Sequence, residues 1–184
     1  MPAYPQPAGQ PEPDTMDHIR QGIERVTEHF GVADFDSVNA VVTIKRVSAD
    51  LENFASGYCK QYDLSTGRLN VLMTLYASND KAMALSEIGE YLVVTRPNVT
   101  GLIDGLAEDG LVKRTSHPDD RRMVLAQLTP AGRDFVRKFV PFHHRVLNDV
   151  MAGITKQEKR QLVALLDKLR LRLRSMQVPQ MEEV

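Results

Sequence analysis

Arg96, Asn98 and Thr100 alternate along the start of one apolar-periodic stretch, and Asp119, Asp120, Arg121 and Arg122 form a charged run further on. A guanidinium fork, a carboxamide and a hydroxyl are side chains that hydrogen-bond to base edges and to phosphate oxygens. An aspartate beside an arginine can hold it in one orientation through charge-assisted hydrogen bonds. A pre-oriented arginine at an exposed tip suits a narrow minor groove, where the potential of DNA is most negative. This is the chemistry of recognition rather than of bond-making. The chain has no Gly-rich phosphate loop and no nucleophile–base pair, so neither an enzyme nor a bound cofactor is expected. His143 and His144 are adjacent and point ~100° apart on a helix, so they cannot share one metal. His18, His29 and His117 are scattered, and no metal site is expected.

The elements that must position these groups lie between Leu85 and Thr129. Ser86 to Leu92 reads as a short helix with Ile88 and Leu92 inward. Thr95 is an expected N-cap of a second helix, with Pro97 in the first turn, where a missing N–H does no harm. Val99, Leu102, Ile103 and Leu106 follow at i, i+3, i+4 and i+7, a core-facing stripe, and Gly110 is a good C′ residue. The opposite face carries Pro97, Gly101, Asp104 and Glu108, flanked by Thr100 and Gly105. Arg96 and Asn98 stand at its leading end, where a recognition helix usually meets bases. Val112 to Thr115 and Met123 to Leu128 read as strands around the charged tip, and Ala82 to Leu85 as a short strand able to add to them. The expected fold is mainly α with a small β-wing: a winged helix-turn-helix plus N- and C-terminal helices.

The flanks divide accordingly. Residues 1–14 hold five of the ten prolines and no apolar period, and are expected to be a disordered tail. Residues 15–63 are expected to form two helices, too long and exposed-looking to be fully covered by a small winged domain. The first carries Ile19, Ile23, Val26 and Phe30. The second, over about 37–60 and capped by Asp36, carries Val41, Ile44, Val47, Leu51, Phe54 and Tyr58. Residues 64–129 are the DNA-binding domain, opened by a helix that Ser65 can cap. Residues 130–176 supply two more helices, entered at Thr129-Pro130 and at the capping box Thr155 to Glu158. Pro141 should kink the first of them. The last residues, 177–184, should fray.

Charge is uneven along the chain although the total is only −1. Residues 1–37 carry a net −5, residues 86–129 a net −2, and residues 130–184 a net +5. Affinity for DNA must therefore come from placed cations and from the basic C-terminal segment rather than from bulk charge. A single cysteine excludes an intramolecular disulfide framework and fits a reducing compartment. No stretch approaches the ~20 apolar residues of a membrane span, and no signal-peptide pattern opens the chain, so a cytoplasmic location is expected.

Leu85-Ser86-Glu87-Ile88, Arg96 to Asp104 (RPNVTGLID), Gly110-Leu111-Val112, Asp119-Asp120-Arg121-Arg122 and Leu128-Thr129-Pro130-Ala131-Gly132 closely resemble the MarR family of bacterial regulators, over roughly Val38 to Met176. The resemblance implies a homodimer, with residues 15–63 and 130–176 as its N- and C-terminal dimerisation helices, on a pseudo-palindromic operator in double-stranded DNA. It also implies a repressor released by a small molecule, often a phenolic or aromatic acid, and in some members by cysteine oxidation or metal. The recognition helix would enter the major groove. In the wing, Arg122, oriented by Asp120 and with Arg121 alongside, would enter the minor groove. Many members have arginine where Gly101 and Gly105 stand. More of the affinity should then fall on Thr95, Arg96, Pro97, Asn98, Thr100, the wing, Ser86 and Arg68. By the same resemblance an effector pocket would be lined by Arg46, Tyr58, Tyr62, Arg68, Tyr76 and His144. Two other readings are a winged-helix protein–protein adaptor and a redox sensor acting through Cys59, should Lys60 lower its pKa.

Overall fold

The computed structural model describes residues 13–31, 34–79, 81–118, 120 and 122–178. The expected tail therefore lies outside the described residues as far as residue 12, and residues 179–184 lie outside them as well. Pro13 and Asp14 already belong to a helix. The chain divides into two compact units, Met1–Val71 and Leu72–Val184.

In the first unit, α1 (Pro13–Phe30) ends at Gly31, whose φ of 61° suits a residue without Cβ. Next comes α2 (Phe35–Cys59). Its cap is Asp34 rather than Asp36. Asp34 has extended backbone angles, and its carboxylate accepts from the amides of Asp36 at 3.3 Å and Ser37 at 3.2 Å. Asp36 already stands in the first turn, where its charge faces the helix dipole. The Ser37 hydroxyl also donates to Asp34, at 2.8 Å, and chiefly this bond holds the Asp34 pKa below the usual carboxylate range. Ile19, Gly22, Ile23, Val26, Thr27, Phe30 and Val38 line an apolar groove of about 530 Å³ along α1. The α2 stripe is largely uncovered: Val41 is 49% exposed and Leu51 45%. A single-turn 3-10 helix, Lys60–Tyr62, leads to Asp63 in the left-handed conformation. Ser65 then caps α3 (Thr66–Ala77), within which the first unit ends at Val71, and its hydroxyl accepts from the Arg68 amide at 3.2 Å.

The second unit holds the winged domain. β1 (Met83–Ala84) leads directly into α4 (Leu85–Leu92), α5 (Arg96–Glu108), β2 (Val112–Ser116) and β3 (Val124–Leu128). The three strands form an antiparallel sheet in the order β1-β3-β2, with Met83 opposite Ala126 and Val112 opposite Leu128. Ile88, Val99, Ile103, Leu106, Ala126 and Val136 are all 1% exposed or less. At about 1.5–3 kcal/mol for each fully buried aliphatic side chain, such a cluster is the main force fixing the two helices on the sheet.

α6 (Pro130–Val150) is locked at its start. Thr129 caps it, accepting from the Gly132 amide at 3.0 Å, while its own hydroxyl donates to the Gly110 carbonyl at 2.7 Å. The Thr129 amide donates to the Leu111 carbonyl at 3.0 Å. Gly132 is buried, and a Cβ built on it would lie 2.0 Å from that same carbonyl oxygen. The Leu-Thr-Pro-Ala-Gly motif is thus a backbone joint between α6 and the turn that ends α5. Pro141 lies inside α6, which continues to Val150. α7 (Lys156–Ser175) opens with the expected capping box of Thr155 and Glu158, and none of its residues is buried. Leu165, Leu171 and Leu173 are 66%, 65% and 61% exposed.

Candidate nucleic-acid interface

The turn between α4 and α5 is tight because α4 stops abruptly. Val93 takes φ 56°, the left-handed region, and its amide donates to Glu90 while that of Val94 donates to Gly89 at 3.0 Å. Those are the two bonds of a Schellman ending, in which glycine is the usual residue. A β-branched residue there is strained by about 1–2 kcal/mol. Because Val93 is 84% exposed, its side chain returns little packing. Val93→Gly is therefore expected to raise the unfolding free energy by about 1 kcal/mol, to be read from urea denaturation. Gly89 sets the spacing of the two helices: a Cβ there would stand 3.2 Å from Val99 Cγ2 and 3.3 Å from the Val94 carbonyl.

This spacing settles what α5 exposes. Val99, Ile103 and Leu106 turn inward, while Thr95, Arg96, Pro97, Asn98 and Gly101 are exposed and Thr100 is half-buried. Thr95 occupies the N-cap position but its side chain makes no capping bond, so its hydroxyl is not used within the helix start. The Thr100 hydroxyl donates back to the Arg96 carbonyl at 3.1 Å. At Gly101 a Cβ would meet nothing within 4 Å, so that face is open. Gly105 differs from the sequence expectation. It is buried rather than flanking the exposed face, because glycine has no side chain to reach past its neighbours.

The wing is braced to α5. Arg114 on β2 donates to the Asp104 carboxylate, an ion pair between two partly exposed side chains. Solvent screening leaves such a pair little net stability, and its effect is to fix the hairpin's direction relative to the helix. It also pairs the Asp104 anion, whose side chain is 44% exposed, with a cation. At the tip, the Asp120 carboxylate accepts from the Arg122 backbone amide at 2.9 Å. Asp120 thus holds Arg122 through its main chain rather than by the side-chain bond expected from sequence, and the Arg122 side chain is exposed. Asp119 and Arg121 lie outside the described residues.

Beside the α4–α5 turn is an open cleft of about 620 Å³, whose lining includes Ser86, Glu90, Thr95, Arg96 and, from the end of α7, Arg174. Sequence patterns do not single out Arg174, whose one signal is membership of the basic C-terminal segment. Arg68 belongs to the first unit and is half-buried. The residues expected to form an effector pocket fall in both units. Arg46, Tyr58 and Tyr62 belong to the first unit, Tyr76 and His144 to the second, and none of them lines the α1 groove or the cleft. Tyr58 is buried, whereas Arg46, Tyr62, Tyr76 and His144 are exposed. Cys59 is inaccessible, and burial, with a smaller contribution from Glu52, pushes its thiol pKa up. That is opposite to what a reactive thiolate requires. Among the described residues no three His, Cys, Asp or Glu side chains are grouped to hold a metal ion, and no helix is long and apolar enough to cross a membrane.

The sequence pattern of the MarR family matches residues 64–124, the span from the start of α3 to the wing. The HTH-type transcriptional repressor YetL of Bacillus subtilis strain 168 is 30% identical over 153 residues, which is 82% of this chain and 92% of YetL. The chain belongs to the MarR family. Among solved structures, a MarR-family regulator from Silicibacter pomeroyi is 27% identical with a TM-score of 0.61, covering 76% of this chain and 92% of its own. Bordetella bronchiseptica BpsR, whose DNA binding is regulated by 6-hydroxynicotinic acid, is 25% identical with a TM-score of 0.59, covering 70% and 98%. Within the family, then, the helix-turn-helix and wing are the DNA-binding module, and the relatives are transcriptional repressors and regulators rather than enzymes.

Proposed function

We propose that this protein is a homodimeric transcriptional repressor that binds a pseudo-palindromic operator and is released by a small aromatic acid or phenol. The observation that carries the reading is the division of α5. Val99, Ile103 and Leu106 are fully buried, so Arg96 and Asn98 stand exposed at the leading end, next to a hairpin that presents Arg122. Arg96 and Asn98 read bases in the major groove, Thr95 and Thr100 offer hydroxyls at the same helix end, and Arg122 enters the minor groove.

Dimerisation is supported by the apolar residues left uncovered in each unit, including Val41 and Leu51 on α2 and Leu165, Leu171 and Leu173 on α7. Large exposed apolar patches mark interaction sites, and α2 leaves Val41, Val47, Leu51 and Phe54 uncovered along one helix. Opposite net charges on residues 1–37 and 130–184 favour association of one copy's N-terminal helix with the C-terminal helix of another. The effector class rests on the similarity to BpsR.

Fluorescence anisotropy with the duplex upstream of the protein's own gene, beside a random duplex of equal length, tests the reading. Preferential binding of the upstream duplex, weakened by an aromatic acid or phenol from a screening panel, is expected, with a dimer in sedimentation. Equal affinity for both duplexes would remove sequence-specific regulation. Tyr91 at 68% and Val93 at 84% exposure favour a second reading, an adaptor whose turn contacts another protein. No DNA binding at low salt would turn the assignment to that reading.

A further inference from the structure

The helix-turn-helix and wing segment is net −2, and a surface of that charge needs cations from elsewhere to approach a polyanion. The cleft beside the α4–α5 turn brings one in. Of the groups lining it, Arg96 is the cation contributed by the helix-turn-helix itself, and Glu90 offsets it. Arg174, in the last turn of α7, makes the lining net positive. Ser86 and Thr95, both exposed, place hydroxyl donors on the same rim. Two guanidinium groups from elements far apart in the chain, with two hydroxyls lining the same cleft, match the demands of a phosphodiester: opposite charge and several donors. The cleft also adjoins the first turn of α5, so a phosphate held there lies beside the bases that Arg96 and Asn98 would read.

We propose that Arg174 and Arg96 form a clamp for a DNA backbone phosphate, with Ser86 and Thr95 as further donors, so that the C-terminal helix takes part in docking on DNA. The clamp rests on the repressor reading and extends it to a residue outside the winged domain. It makes α7 a part of the DNA-binding surface as well as a bearer of the uncovered leucines. A phosphate contact positions the protein without reading sequence, so its loss weakens upstream and random duplexes alike.

Salt dependence is the decisive measurement, because each neutralised phosphate contributes about 0.9 to the slope of log affinity against log salt. For Arg174→Ala the slope is expected to become shallower by about two per dimer, with a loss of roughly five-fold per cleft at 0.15 M salt on both duplexes. Arg174→Lys keeps the charge and is expected to stay close to the unmodified protein in slope. Arg172, in the same last turn but outside the cleft lining, is the control, and Arg172→Ala is expected to leave the slope unchanged. An unchanged slope for Arg174→Ala, with the unmodified protein binding DNA normally, overturns the clamp and leaves the repressor reading standing. That is also the result if Arg174 serves only as a partner for Glu90. Equal losses for Arg172→Ala and Arg174→Ala overturn it too, since the effect would then be the general charge of α7. Failure of the unmodified protein to bind either duplex overturns the repressor reading, and the clamp with it.

Discussion

Arg122→Ala is expected to weaken operator binding by on the order of 30- to 1000-fold while leaving the dimer and its stability intact. A well-placed arginine fork against bases contributes about 1–2 kcal/mol, and a dimer loses two of them. Arg122 stands exposed at the end of a hairpin and its backbone amide is pinned by Asp120, so removing the side chain costs no packing. The pinning matters because it fixes the main chain from which the guanidinium projects, so less backbone entropy is lost when the tip enters a groove. Asp120→Ala should therefore lower affinity as well, by a smaller factor, since the guanidinium survives on a looser tip. Arg122→Lys should fall between the two, because an ammonium keeps the charge and loses the planar fork. Anisotropy titrations at one fixed salt concentration give the ranking. Full affinity in Arg122→Ala would take the wing out of the mechanism.

Gly132→Ala is expected to destabilise the protein by about 3 kcal/mol, a large effect for one added methyl group. The new Cβ would fall 2.0 Å from the Leu111 carbonyl oxygen, a backbone atom that cannot rotate away. That oxygen also accepts from the Thr129 amide at 3.0 Å. Relief of the clash must move α6 or the α5–β2 turn, and either motion strains the joint that caps α6. In a chain of this length the loss corresponds to a fall of roughly 6–12 °C in Tm. The same joint connects the winged domain to the helix that leads towards α7, so DNA binding should decline along with stability. Differential scanning calorimetry measures the first effect. A midpoint within a degree of the unmodified protein would show that the turn can give way without cost.

Much of the architecture is legible in the order of residues alone. The α5 stripe, Gly110 as its terminator, Ser65 and Thr129 as caps and the capping box at Thr155 all appear where local rules place them. Each depends on residues within about one helical turn, and the bonding groups are the neighbours themselves. Local rules falter where two neighbours compete for one role. Asp34 and Asp36 both precede the body of α2, and only backbone angles decide that the former is the cap.

What composition and spacing specified, then, was the order of elements, the buried stripe of α5 and the types of side chain at its leading end and on the wing. Contacts between residues remote in sequence were decided only by tertiary packing. Those include the Asp104–Arg114 brace, the approach of Gly132 to Leu111, the burial of Cys59 and Gly105, and the place of Arg174 and Arg96 on one cleft. The physical reason is that helix periodicity and capping are governed by bonds a few residues long. A meeting of α7 with the α4–α5 turn depends instead on how whole elements stack, and no short-range pattern records it.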